Sequence, residues 1–235
     1  KLSPVSAKHV ILTNEGDING FYNLVKNNFK VHHFPLVKIL PIEFKINNLE
    51  SYDYVIFTSK NGVKNFFSKV KISDNVKFIC IGNKTEQMLN KYGYVSLHTS
   101  KKNYSEIMAT ELEKNKLING ENVLLVQGKI AKDDLRFELK KFCNVDRVNV
   151  YSTNAKEDLN EKLKKLISSI STFTVFTSPS AFDSFIKFYN PNKTKIISIG
   201  NTTTKYIESK GYDCMLTSQM QSYEGISESI IKHFY

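Results

Sequence analysis

The sequence repeats itself, and a repeat of roughly 115 residues restricts the fold to something assembled twice from one supersecondary unit. FTSKNGVKNFF at 57–67 returns as FTSPSAFDSFI at 176–186, 119 residues later. Ile81-Gly82-Asn83-Lys84-Thr85 returns as Ile199-Gly200-Asn201-Thr202-Thr203, 118 residues later. Gly93-Tyr94, Thr99-Ser100, Tyr104 and Ile107 recur as Gly211-Tyr212, Thr217-Ser218, Tyr223 and Ile226. A weaker match sets His9–Thr13 beside Asn122–Val126, at a separation of 113. With 235 residues, the chain holds two such copies.

Periodicity says what each copy contains. Short apolar runs bounded by polar residues predict buried parallel strands over Val10–Leu12, Tyr54–Phe57, Phe78–Ile81, Val123–Val126, Phe173–Phe176 and Ile196–Ile199. Between them lie helical stripes: Ile18, Phe21, Tyr22 and Val25; Val63, Phe66, Phe67 and Val70; Leu159, Leu163, Leu166, Ile167 and Ile170; Ile226, Ile230, Ile231 and Phe234. Alternation of the two patterns predicts an α/β fold with parallel sheets flanked by helices. Val31–Phe44, interrupted by Pro35 and Pro41, and Val145–Thr153 read as extended segments at matching places. Proline removes a ladder donor, so such strands belong at an edge, running exposed between two lobes.

Composition removes several classes of function. The net charge of +10 favours an anionic partner, yet it comes almost wholly from scattered lysines, and the only arginines are Arg136 and Arg147. A nucleic-acid binder would present arginine in a one-sided stripe with aromatics, so none is expected. No run approaches the roughly 18–20 apolar residues that span a bilayer. Cys80, Cys143 and Cys214 form no C-x-x-C pair, and the histidines are scattered, so neither disulfides nor a metal site is expected, and a reducing, cytoplasmic setting fits. The chain opens on Lys1 rather than Met, which leaves room for a trimmed targeting segment. Neither G-x-x-x-x-G-K-[ST] nor G-x-G-x-x-G occurs, and no nucleophile elbow is present.

What remains is a pattern at strand ends, where parallel α/β sheets bind ligands. Thr58, Ser59 and Asn61 follow one predicted strand, and Thr177, Ser178 and Ser180 follow its repeat. Gly82 and Thr85 follow another, and Gly200 and Thr203 its repeat. Glycine lets backbone N–H groups approach a ligand, and a helix start offers unsatisfied donors and partial positive charge. A Ser or Thr there is most often just an N-cap worth about 1 kcal/mol. Here both copies keep uncharged donors, and no position carries the carboxylate that would cap equally well and repel an anion. Four donor-rich helix starts facing one cleft would suit a ligand with many carboxylates.

FTSKNGV, ICIGNKTEQMLNKYG, VLLVQGKIAKDDLRFELKKF, VNVYST, FTSPSAF and ISIGNTTTKYIESKG, in that order and with Pro35-Leu36, resemble the uroporphyrinogen-III synthase family over essentially the whole chain. The resemblance implies that each copy begins in one lobe and ends in the other. Lobe one would be 1–33 plus 155–235, lobe two 46–145, and the segments 34–45 and 146–154 a two-stranded ladder between them. It implies a cofactor-free lyase acting as a monomer. Hydroxymethylbilane, with eight carboxylates, would lose its terminal hydroxyl to give an azafulvene, then close through a spiro intermediate that inverts one pyrrole. Tyr151 matches the family tyrosine proposed to assist hydroxyl departure, since a phenol near its usual pKa of about 10 holds a proton to give. Ser59, Thr85, Ser178, Ser180 and Thr203 match cleft-lining hydroxyls. Lys132, after the turn at Gly128, stands where the family commonly carries arginine, and Asn14 departs from a frequent Thr-Arg. The alternative class is a non-catalytic two-lobed receptor for an anionic metabolite.

Overall fold

A computed structural model describes residues 7–72, 75–101 and 105–235, so the repeated Tyr104 lies outside it. Its first half runs β1 (His9–Leu12), α1 (Tyr22–Lys26), β2 (Lys30–His33), β3 (Val37–Pro41), β4 (Tyr54–Phe57), α2 (Lys60–Phe67), β5 (Lys77–Ile81), α3 (Asn83–Lys91), β6 (Ser96–Ser100) and α4 (Ser105–Lys114). The second half runs β7 (Asn122–Gly128), α5 (Asp134–Leu139), β8 (Asn144–Ala155), α6 (Glu161–Ser169), β9 (Thr172–Phe176), α7 (Pro179–Ile186), β10 (Lys195–Ser198), α8 (Asn201–Ser209), β11 (Cys214–Thr217) and α9 (Tyr223–Phe234).

Two sheets result, and each takes strands from both copies. One has five strands in the order β11-β10-β9-β1-β2; the other has six, in the order β3-β8-β7-β4-β5-β6. Read from the other end, the first sheet matches the second without β3: β2-β1-β9-β10-β11 against β8-β7-β4-β5-β6. All the pairings within these two five-strand sets are parallel. Contacts divide the chain accordingly into one unit of residues 1–38 and 154–235 and another of 39–153. Both crossings between units fall in or beside β3 and β8. That pair is antiparallel, with the Ile42 N–H donating to the Val150 carbonyl and the Lys156 N–H to the Leu36 carbonyl.

The equivalent elements pack alike. β4 and β9 are buried along their whole length, as expected of central strands covered on both faces. Phe57 meets Phe66 edge-on at 5.3 Å, and the repeat-equivalent Phe176 meets Phe185 edge-on at 5.2 Å. Each ring is fully buried, contributing about 1.5–3 kcal/mol by transfer alone.

Three expectations need correction. Tyr22 and Val25 do not share the buried face with Phe21: they are 60% and 51% exposed, and Leu24 is buried instead. The segment starts as a 3₁₀ turn over Asn19–Phe21, and its tighter winding shifts the phase of a short helix. Leu159 and Ile170 flank α6 rather than belonging to it, because Asn160 caps its start and Ile170 is already extended. The run Val31–Phe44 is not one strand. β2 pairs with β1, the chain breaks around Pro35, and β3 pairs with β8 in the other sheet, ending on Pro41.

Candidate functional site

In the 39–153 unit, β4 delivers the chain to Ser59 in an extended conformation (φ −158°, ψ 152°), and Ser59 caps α2. Its Oγ accepts the Gly62 N–H at 3.0 Å, which is the ordinary N-cap bond. The same oxygen lies 3.0 Å from the hydroxyl of Tyr151, 92 residues away on β8. Ser59, Thr58, Asn61 and Tyr151 are all half-buried, so the pair meets solvent at a helix start.

The phenol rests on Gly128. A β-carbon built at Gly128 would stand 2.6 Å from Cζ and 2.9 Å from the hydroxyl of Tyr151, so no side chain fits there while the ring stays. The Lys129 N–H donates to the Tyr151 carbonyl at 2.8 Å, fixing the strand beneath the ring. The register of β7 on β8 slips by one residue at this point, pairing Gln127 with Asn149 but Gly128 with Tyr151. Such a bulge re-aims a side chain at a strand end. Lys132 lies in the following turn and is exposed.

At the neighbouring helix start, Gly82 precedes α3 with φ 81°, a conformation that favours glycine. Its carbonyl accepts the N–H groups of Thr85 and Glu86. Thr85 is 4% exposed, so its hydroxyl offers little surface to a ligand.

The 1–38/154–235 unit repeats this framework with different occupants. Ser178 caps α7, its Oγ accepting from the Ala181 N–H at 3.2 Å and lying 3.0 Å from the Ser180 Oγ. Serine stands where the other unit has a tyrosine contact. Gly200 precedes α8 with an ordinary extended backbone, φ 174°, and the Gln221 side chain lies against it, 2.7 Å from where a β-carbon would be. Thr203, like Thr85, is 4% exposed. Elsewhere in this unit the half-buried Tyr223 phenol is pushed up to about 12, chiefly by desolvation, with nearby Glu15, Asp17 and Glu224 acting the same way and a hydrogen bond with Asn14 opposing them.

Sequence reasoning therefore names Ser59, Tyr151 and Gly128 separately but not their meeting. It also misses Arg147, which bonds the turn after Gly128, and Gln221, which covers Gly200. His9 and His32, scattered in the sequence, meet in the fold: Nδ1 of one lies 2.9 Å from Nε2 of the other, with the rings stacked. The parallel register of β1 on β2 brings them together. Among the described residues no group of three metal-ligating side chains forms, and no helix is long and apolar enough to cross a membrane. Two open grooves in the 39–153 unit, one along α4 and one lined by Phe44, Ile46, Leu49 and Val70, include none of these helix-start residues.

The profile of the family described as uroporphyrinogen-III synthase HemD matches residues 23–228. A putative uroporphyrinogen-III synthase of Methanocaldococcus jannaschii is 28% identical over 88% of this chain and 90% of its own. The porphyrin biosynthesis protein HemD of Ruminiclostridium josui is 27% identical over 73% of this chain, which spans only 38% of that longer protein. In architecture the chain is similar to uroporphyrinogen-III synthetase from Helicobacter pylori, with a TM-score of 0.73 at 18% identity, covering 96% of this chain and 99% of the other. A mutant uroporphyrinogen III synthase from the extremely thermophilic bacterium Thermus thermophilus shares the fold with a TM-score of 0.59 at 11% identity, covering 97% and 99%. A family profile spanning most of the chain, seen together with a shared fold, places this protein in the uroporphyrinogen-III synthase family.

Proposed function

We propose that the chain is a hydro-lyase that closes hydroxymethylbilane to uroporphyrinogen III, with Tyr151 as the proton donor to the departing hydroxyl. The observation that carries this is the 3.0 Å contact between the phenol of Tyr151 and Ser59 at the start of α2. Ser59 already accepts from Gly62, so its own proton is available to the phenol oxygen. With Ser59 as donor in that contact, the phenol would keep its own proton for transfer to the departing hydroxyl. The phenolic proton leaves with the hydroxyl as water, giving the azafulvenium cation and the phenolate. The serine bond and the partial positive charge of the helix start stabilise the phenolate. The proton released when the closing ring regains aromaticity restores the phenol, so the net product besides the macrocycle is one water.

The carboxylates would be held by uncharged donors: Thr58, Ser59, Asn61 and the N–H groups after Gly82 from one unit, Ser178, Ser180 and the N–H groups after Gly200 from the other. The N-terminus of a helix binds anions through these N–H groups and its dipole. Lys132 would add one mobile charge. Thr85 and Thr203 would serve the helix starts from inside rather than by touching substrate. The two units would correspond to lobes of residues 1–33 plus 155–235 and 46–145, with 34–45 and 146–154 as the linking strands. The chain would act as a monomer. Cys80, Cys143 and Cys214 are free thiols, which supports a reducing compartment such as the cytoplasm.

The test is the isomer formed. The purified chain, given hydroxymethylbilane, is expected to yield the type III macrocycle, separated chromatographically from type I. Formation of type I alone, as in buffer, would leave the chain as a binder of anionic metabolites.

A further inference from the structure

One arginine binds together everything on which Tyr151 rests. Arg147 lies four residues before Tyr151 on β8, with a side chain only 10% exposed. Its Nη2 donates to the Gly128 carbonyl at 3.2 Å and the Ala131 carbonyl at 2.9 Å. Its Nη1 donates to Asp133 Oδ1 at 2.8 Å and its Nε to Asn149 Oδ1 at 2.9 Å. Four acceptors from β7, the following turn, the residue capping α5 and β8 itself thus converge on one planar cation.

Gly128 is the common element. Its carbonyl is held by Arg147, and its α-carbon is the surface against which the Tyr151 ring lies. The next residue, Lys129, donates its N–H to the Tyr151 carbonyl. The turn is therefore fastened twice, to the guanidinium and to the tyrosine backbone, at the slip in the β7–β8 register that aims the phenol. An arginine that merely closed a surface turn would need the exposed Asp133 alone, and such pairs contribute little. Two of these bonds instead go to carbonyls of the turn itself, and a lysine cannot reproduce that fork.

We propose that Arg147 is the positioning residue of Tyr151: it fixes the Gly128 turn so that the phenol stands against Ser59, and it affects the reaction only through that phenol. This rests on the proposed role of Tyr151. The test is a double-mutant cycle on the full chain with hydroxymethylbilane. Arg147→Met is expected to lower kcat about tenfold to a hundredfold with little change in KM, as a displacement of about 1 Å does. Placed in a Tyr151→Phe background, the same substitution should lower kcat no further, because the group it acts through is gone. Arg147→Lys should fall between wild type and Arg147→Met, and it carries the cycle if Arg147→Met does not fold. Equal fold-losses in both backgrounds would overturn the inference and leave Arg147 as a scaffold residue. An unchanged kcat in Tyr151→Phe alone would overturn the role of Tyr151 as well, so the two failures are distinguishable.

Discussion

The start of α2 in one unit and the start of α7 in the other are the same piece of structure with different contents. Both follow a fully buried central strand, both are capped by the serine of an FTS motif, and both put a serine oxygen on the N–H three residues on. The second bond of that oxygen differs: Ser59 meets the phenol of Tyr151, Ser178 the hydroxyl of Ser180. Under the proposed function both helix starts would hold carboxylates of the substrate, and only the one at Ser59 would also carry a proton donor.

Substitutions that act on one side only should break the comparison most sharply. Tyr151→Phe is expected to lower kcat by about 10²-fold or more, the usual contribution of a general acid, with substrate affinity nearly intact. Steady-state kinetics would show it, and a rise in KM without loss of kcat would make the phenol a binding group. Ser180→Ala, which removes the hydroxyl occupying the matching place, should change KM and leave kcat within about threefold, because it removes a binding contact and no reacting group.

The glycines separate the units next. Gly128→Ala puts a methyl into the Tyr151 ring, so kcat should fall about tenfold or more, since a displacement near 1 Å is felt that strongly. Gly200→Ala meets the exposed, flexible Gln221, which can move aside, and kcat should be nearly unchanged. Similar losses in both would mean that the two helix starts do not differ in role.

The caps sharpen the same point in stability. Ser59→Ala and Ser178→Ala should each cost about 1 kcal/mol in denaturant unfolding, as a lost N-cap does. Only Ser59→Ala should also reduce kcat.

The smallest effect belongs to the stacked histidines. The His32 pKa lies below its ordinary 6.5, mainly through burial, with His9 and Lys30 repelling the proton. The folded chain then binds fewer protons than the unfolded one, so stability is full above about pH 6.5 and declines as the pH falls below it. His32→Gln should flatten that decline in urea titrations between pH 8 and pH 5. By register the equivalent strand positions in the other unit are Asn122 and Asp146, so the response should be confined to one unit.

Much of this is legible in the sequence because it is local. Short apolar runs mark the strands, and a serine before a helical stripe marks Ser59 and Ser178 as caps. What could not be read depends on register across long separations. Ser59 and Tyr151 are 92 residues apart, and which β8 side chain faces Gly128 follows from the slip at Gln127–Gly128. Arg147 reads as one of two stray arginines because its four acceptors are gathered only by that pairing. The apolar spacing misplaces Tyr22 and Val25 for the opposite reason: a 3₁₀ turn has a local period that the spacing mimics as α-helix.

The most direct measurement compares two leaving groups. Hydroxymethylbilane needs a proton to release its hydroxyl, whereas the same bilane acetylated there releases acetate without one. The ratio of kcat between the native chain and Tyr151→Phe should be about 10² or more for the hydroxyl substrate and near one for the ester. An equally large ratio for both substrates would contradict proton donation by Tyr151.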